Sequence, residues 1–406
     1  MPQSGGSDRL GPLDSLFLYI EKEAMPLHIG SVFVFDGPIR VDELKERIEA
    51  KLPLIPRYRQ RVLFPPLNAG YPTWEYDPAF DINRHIEHIR IKPGTKEALE
   101  KIAGQLFSKI MDRSRPLWDL TVVDGLPRKR NALIARVHHC LVDGVAGVEM
   151  LNLIFDASAE PSPLPAKQPY HPAPPPSPSA SLADALISSY SHAVGRLLSL
   201  ESAVLNVVGG IAGELLQGSL NQAVGTPSEL FRQVERFPFN APASGPRNVA
   251  WAEFPLDEIK AIKDTHGVKV NDVFLLLLAG AMRRYARLHK VPLERRLLRL
   301  MVPVNVRHAG DTRPGNRISL IPVNIPLDIA DPIELLAGIH KRTEMLKHSH
   351  AADLMVLGGT LLSTMPVPAQ ASLVSLLSNS VSVLPFNMVC TNVPGPEFPL
   401  YLQGRK

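Results

Sequence analysis

The chain has 406 residues, 45% of them hydrophobic and 21% charged, with a net charge of +4 at neutral pH. This composition fits a soluble globular protein, long enough for two or three domains with sizeable cores. Lys and Arg are scattered, with no basic stripe interleaved with aromatics, which argues against nucleic acid; the mildly basic balance still favours anionic ligands or an anionic membrane face.

The opening stretch MPQSGGSDRLGPLDSLF has no basic n-region followed by an apolar core, so no secretory signal is expected. Ile29–Gly37 alternates as a strand and ends on a turn signal, and Val41–Leu52 has helical spacing. His85–Lys92 reads as a strand, Lys96–Met111 as an amphipathic helix and Leu117–Leu126 as a strand. Asn131–His139 is an apolar strand, and Val145–Phe155 a helix. Nine prolines then fall between Pro161 and Pro178, a composition that favours extended polyproline conformation and cannot pack a core. It reads as a crossover between two halves.

Beyond it, Leu182–Leu220 is helical, with an apolar face that suits either a lipid surface or packing across the halves. NVAWAEFP, residues 248–255, reads as a strand, and LDEIKAIKDTHG as a helix stopped by Gly267. A buried helix over NDVFLLLLAGAMRRYARLHK, strands over LRLMVPVNVR and NRISLIPVNIPL, and a helix over IELLAGIHKRTEMLKHSH follow. From Leu354 to Pro396 no residue is charged, but Pro366, Pro368 and Pro385 interrupt the run. It reads as buried elements lining something apolar, in preference to a transmembrane helix. Mixed strands and helices without strict βαβ alternation predict two α+β halves.

One stretch invites chemistry: HHCLVDG, residues 138–144. On a strand, successive side chains point to opposite faces, so His138 and His139 cannot easily share a metal ion, and no third ligand stands nearby. No metal is expected. Two adjacent histidines split between a packed interior and an open channel would suit a general base and its support; a merely packed core histidine is the plainer reading, and both stay open. Asp143, just before Gly144 and the next helix, can cap that helix or bind an Arg. Gly144 and Gly147 leave room at the helix start. The two cysteines, Cys140 and Cys390, form no CxxC pair or disulfide framework, which points to a reducing cytosol. Cys140 reads as a small apolar filler.

HHCLVDG resembles the active-site motif of the bacterial wax ester synthase/diacylglycerol acyltransferase family, which also occurs in the wider superfamily of CoA-dependent acyltransferases and condensation domains. Further blocks resemble that family in order: LDSLFLYIEKEAMPLHIG (13–30), SRPLWDL (114–120), VNDVFLLLLAGAMRRY (270–285), MVPVNVR (301–307), GNRIS (315–319) and TNVPGP (391–396). The resemblance implies two chloramphenicol-acetyltransferase-like halves, 1–160 and 182–406, joined by the crossover 161–181, with an active-site channel between them. It implies acyl transfer from a fatty acyl-CoA to the hydroxyl of diacylglycerol or a long-chain alcohol. His139 would be the base, His138 packing, and Asp143 loop support pairing with Arg307. Asn271, Thr391 and Asn392 become candidates for the oxyanion or substrate; Asn271 equally suits a helix cap. Trp118 of PLW reads as core. Acyl-CoA is a co-substrate, and no cofactor is expected. The implied setting is cytoplasmic, peripheral to a membrane or lipid-body surface. Chains of the family continue past the TNVPGP block, whereas ten residues follow it here, implying a second half without its last elements and with an open sheet edge. A carrier-protein-dependent condensation enzyme and a non-catalytic lipid-binding or lipid-droplet protein are the competing readings.

Overall fold

The computed structural model describes residues 9–141, 151, 153–166, 179–191, 234–241, 246–305, 318–347, 351–379, 386–393 and 398–406, with isolated positions 169, 170, 172, 177, 200, 204 and 395. Asp143, Gly144, Gly147 and Arg307 lie outside the described residues, as do most of the helix expected over Val145–Phe155 and the GNR of the GNRIS block.

The first half is built on a four-stranded sheet of order β1-β6-β5-β4, from β1 (His28–Phe35), β4 (Ile86–Arg90), β5 (Trp118–Asp124) and β6 (Asn131–His138). β1/β6 and β5/β6 are antiparallel and β4/β5 parallel. The parallel pair needs a crossover, which α3 (Lys96–Phe107) supplies. Thr95 caps α3 by accepting the Ala98 N–H at 3.2 Å, and Leu99, Ala103 and Leu106 form its buried stripe against Val123, Ala132 and Ile134. On the other sheet face, α1 (Pro12–Ile20) and α2 (Val41–Lys51) close a second layer, with Leu18, Leu44, Ile48, Leu120 and Leu133 at its centre. β6 is buried at every position, which is why it reads as an unbroken apolar run. A short hairpin of β2 (Gln60–Leu63) and β3 (Thr73–Tyr76) lies outside the main sheet.

The second half carries its own core around a sheet of order β8-β7-β9, from β7 (Leu297–Asn305), β8 (Ile318–Pro326) and β9 (Met388–Val389). Packed with it are α4 (Leu256–His266), α5 (Val270–Leu288) and α6 (Pro332–Lys347). Gly267 ends α4 in the left-handed region at φ +62°, the stop its sequence announces. The uncharged region folds as α7 (Ala351–Thr364), α8 (Val367–Asn379) and β9. Among the described residues no helix is long and apolar enough to cross a membrane.

Residues 248–255 are not a strand. Their neighbour is the side of α3: the Trp251 carbonyl accepts Lys96 Nζ at 2.7 Å and the Trp251 N–H donates to Glu100 Oε1 at 3.4 Å. An alternating pattern identifies an extended segment; a strand also requires a free sheet edge beside it. Two other distant segments return to the first half. The helical stretch 179–191 is tied to it by the Arg9–Asp184 ion pair and by Ser189 Oγ on the Ala69 carbonyl at 2.8 Å. Tyr401 exchanges two backbone hydrogen bonds with Asp156, at 2.8 and 2.9 Å, and Leu402 is fully buried in the first core.

Candidate active site

β6 ends at His138, and a 3-10 turn over His139–Leu141 begins at the next residue. The two histidines are therefore separated by strand alternation and by the end of the strand itself. His138 points inward and is fully buried. Its Nδ1 accepts the Cys140 N–H at 3.1 Å, so a neutral ring carries its proton on Nε2. That nitrogen lies 3.3 Å from Glu21 Oε1.

Glu21 escaped the sequence reading. Its side chain is 1% exposed and holds three partners at once: His138, the Leu27 N–H at 2.9 Å and Arg113 Nη2 at 3.1 Å. Burial pushes this carboxyl up, yet the contact with His138 and the bonds from Leu27 and Arg113 overcome it and hold the pKa at about 2. A signal was present. Glu21 follows the apolar α1 at its C-terminus, where the helix dipole disfavours a carboxylate, so a distant partner was implied.

His139 is half-buried. Its backbone N–H donates to the Leu27 carbonyl at 3.0 Å, and its ring stacks on Phe17 of α1 with centroids 4.8 Å apart and planes 17° from parallel. Burial, then the neighbouring His138, lowers its pKa from 6.5, which keeps it neutral at pH 7. Leu27 thus serves both sides of the site: its N–H fixes Glu21 and its carbonyl fixes the backbone of His139.

Opposite His138 in the β1–β6 register sits His28, on the same sheet face. Burial, then the charges of Arg136 and Arg247, lowers its pKa to about 4. Arg136 is itself fully engaged, bidentate on Asp119 at 2.9 and 2.6 Å. Trp118 is 1% exposed; its indole N–H donates to the Tyr58 carbonyl at 2.8 Å and its ring stacks on His85. It is a packed core residue. Cys140 is buried, which drives its thiol well above the ordinary range, an environment that disfavours the nucleophilic thiolate.

Of the second-half candidates, the structure brings two together: Asn392 Nδ2 donates to Asn271 Oδ1 at 3.4 Å. Asn392 and Thr391 are exposed, on the stretch after β9. Asn271 does not cap α5. The helix begins at Val270 with Lys269 in the cap position, and the capping is done by Asp272, whose Oδ2 accepts the Lys269 N–H at 3.0 Å. Asp272 is 1% exposed and also takes His340 Nδ1 at 2.7 Å and Thr343 Oγ1 at 2.8 Å. A carboxylate suits the first turn, where it faces free N–H groups and the positive end of the dipole. Asn271 is thereby left free of that duty.

Between α1 and α8 opens a cavity of about 650 Å³, bounded by Leu18, Tyr19, Phe64, Arg113, Ala371 and Ser375. Glu21 also lies on its wall, with its side chain only 1% exposed. Among the described residues no group of three or more His, Cys, Asp or Glu could hold a metal ion.

Two family models together match most of the chain. Residues 10–274 match the wax ester synthase/diacylglycerol acyltransferase catalytic domain, and 314–406 match the WS/DGAT C-terminal domain. A Mycobacterium tuberculosis protein named as a probable diacylglycerol O-acyltransferase is 32% identical over 406 residues, covering 97% of this chain and 85% of its own. A second protein of that species, whose name carries the same activity, is 31% identical over 423 residues, covering 99% and 80%. The solved wax ester synthase/diacylglycerol acyltransferase of Marinobacter aquaeolei VT8 shares the fold, with a TM-score of 0.63 and 24% identity over 98% of this chain and 84% of its own. The chain belongs to the wax ester synthase/diacylglycerol acyltransferase family and is an acyltransferase of that family.

Proposed function

We propose that the protein transfers a fatty acyl group from acyl-CoA to a lipid hydroxyl, with diacylglycerol as the main acceptor and a long-chain alcohol as the second. The names of the relatives favour diacylglycerol. The observation that carries the mechanism is His139: half-buried, held at its backbone by Leu27, stacked on Phe17 and neutral at pH 7. A ring nitrogen of His139 accepts the proton of the acceptor hydroxyl as that oxygen attacks the thioester carbonyl. An alcohol is too weak an acid to ionise first, so proton transfer accompanies attack. The tetrahedral intermediate collapses with cleavage of the C–S bond, and the imidazolium returns its proton to the departing CoA thiolate. Ester and free CoA are the products. No acyl-enzyme forms, a reading supported by the buried, high-pKa thiol of Cys140.

Asn271, Asn392 and Thr391 supply donors to the intermediate's oxyanion from the second half. Asp143 and Gly144 shape the loop after the base, with Arg307 as partner of Asp143. Residues 1–160 and 182–406 act as the two walls of the site, and no cofactor takes part. The protein works in the cytoplasm at a membrane or lipid-body surface, where both lipids are concentrated. The test is thiol release from palmitoyl-CoA with diolein or hexadecanol, with product ester measured alongside. Ester formation no greater than that of His139→Ala ends the proposal. Thiol release that requires an acyl carrier protein in place of CoA transfers it to the condensation enzymes.

A further inference from the structure

We propose that Arg247 is a positioning residue: it reaches from beyond the crossover to hold the Pro26–Leu27 peptide, and through it both His139 and Glu21. The inference rests on His139 as the base. Its geometry runs through four contacts. Arg247 Nη2 donates to the Pro26 carbonyl at 3.2 Å. The next N–H, that of Leu27, donates to Glu21 Oε1 at 2.9 Å. The Leu27 carbonyl accepts the His139 N–H at 3.0 Å. Glu21 in turn faces His138 Nε2 at 3.3 Å. Two peptide units therefore carry the position of Arg247 to the base and to its neighbour's carboxylate.

The guanidinium is itself held in place. Residues 246–251 lie along α3 as a strap. The Arg247 N–H donates to Ser108 Oγ at 2.6 Å, and that hydroxyl donates to the Gly104 carbonyl at 2.6 Å. The Arg247 carbonyl lies so close to Gly104 that any Cβ there would overlap it. Four residues on, Trp251 is fastened to Lys96 through its carbonyl and through its ring, 5.3 Å from Nζ. The strap is thus pinned at both ends, and Gly104 is the residue that lets it lie flat. Arg247 also lies within electrostatic reach of Glu21 and His28.

Arg247 is exposed as a residue, with its guanidinium end part-buried at the Pro26 carbonyl, so replacing it by a chain of similar length leaves the cores intact. The test compares Arg247→Met and Arg247→Lys in the full chain with palmitoyl-CoA and diolein. Arg247→Met is expected to lower kcat about 10-fold, because small displacements of a catalytic group are costly. KM for palmitoyl-CoA stays within about two-fold, the signature of a loss confined to the chemical step. Arg247→Lys, which keeps one donor, recovers more than half of the lost rate constant. Gly104→Val lifts the strap from α3 by an independent route; it lowers kcat similarly, and the double variant is no worse than Gly104→Val alone. An unchanged kcat in Arg247→Met, a change in KM alone, or losses that multiply in the double variant overturns the proposal. Full activity in His139→Ala instead overturns the reading of the base beneath it.

Discussion

The two walls of the proposed site satisfy their polar groups in opposite ways. On the first-half wall, His138 and Glu21 are sealed from water, and each polar atom of Glu21 faces a partner in the protein. On the second-half wall, the buried carboxylate of Asp272 is spent on the helix start and on α6, while Asn271 and the exposed Asn392 share one long contact. Under the proposed mechanism this contrast is a division of labour. The base is braced by its surroundings, and the side chains proposed for the oxyanion carry no structural duty among the described residues that would hold them elsewhere. Substitutions on the first wall should therefore cost turnover and stability, and those at Asn271 and Asn392 turnover alone.

The largest expected effect is that of His139→Ala, a fall in kcat of about 10²–10⁴-fold, the usual worth of a general base. Steady-state thiol release measures it, and a fall below about 10-fold would erase the contrast between the walls. Next comes Glu21→Ala, which strands His138 and Arg113 around an emptied, buried position. It should destabilise by about 3–5 kcal/mol in urea unfolding. Glu21→Gln, which keeps the shape and an acceptor, should cost less. On the other wall, Asn271→Ala should lower kcat by about 10²-fold while leaving the melting temperature nearly unchanged. Asp272→Ala should do the reverse in stability, losing about 1–2 kcal/mol with the cap. If Asn271→Ala melts earlier than Asp272→Ala, the assignment of roles within α5 is wrong.

The smallest effect is on pH dependence. His28 and His139 have pKa values below 6.5 in the fold, His28 at about 4. The unfolded chain therefore binds more protons than the fold as pH drops below 6.5, and stability falls across that window. Glu21 adds a second step: held at about 2, it contributes stability above 4.5 that is lost as pH falls toward 2. Melting temperature against pH should slope downward from pH 6.5 to 4, and His28→Asn should flatten that part of the curve. In kcat/KM, the acid limb should lie below pH 6.5, since the base is neutral above its lowered pKa.

Much of this frame was legible in the sequence because it depends on periodicity. β6 and α3 announce themselves by an apolar run and a helical stripe, and Gly267 by its left-handed stop. The adjacent histidines divide between a buried and a half-buried position, but at the strand end: His139 already belongs to the 3-10 turn and not to the strand expected to carry it. What stayed hidden depends on long-range partners. Glu21 has no local mark beyond its poor place at a helix end, and its partners are His138 and Arg113, about a hundred residues away in sequence. Residues 248–255 carry the pattern of a strand but meet a helix flank. The β2–β3 hairpin is too short, at four residues a strand, to show a period. Asp272 does the capping for which its neighbour Asn271 was a candidate, because the cap position is Lys269, two residues before Asn271.

The returning segments change what a cut in the chain would do. The stretch 179–191, the strap 246–251 and Tyr401–Leu402 all follow the proline-rich crossover and all seat on the first half. A protease that opens the crossover would break one covalent connection and leave at least these three clasps among the described residues. The fragments should then migrate as one particle in gel filtration and part only in denaturant. Several weak contacts on one body act at a high effective concentration, so they hold together what each alone would release.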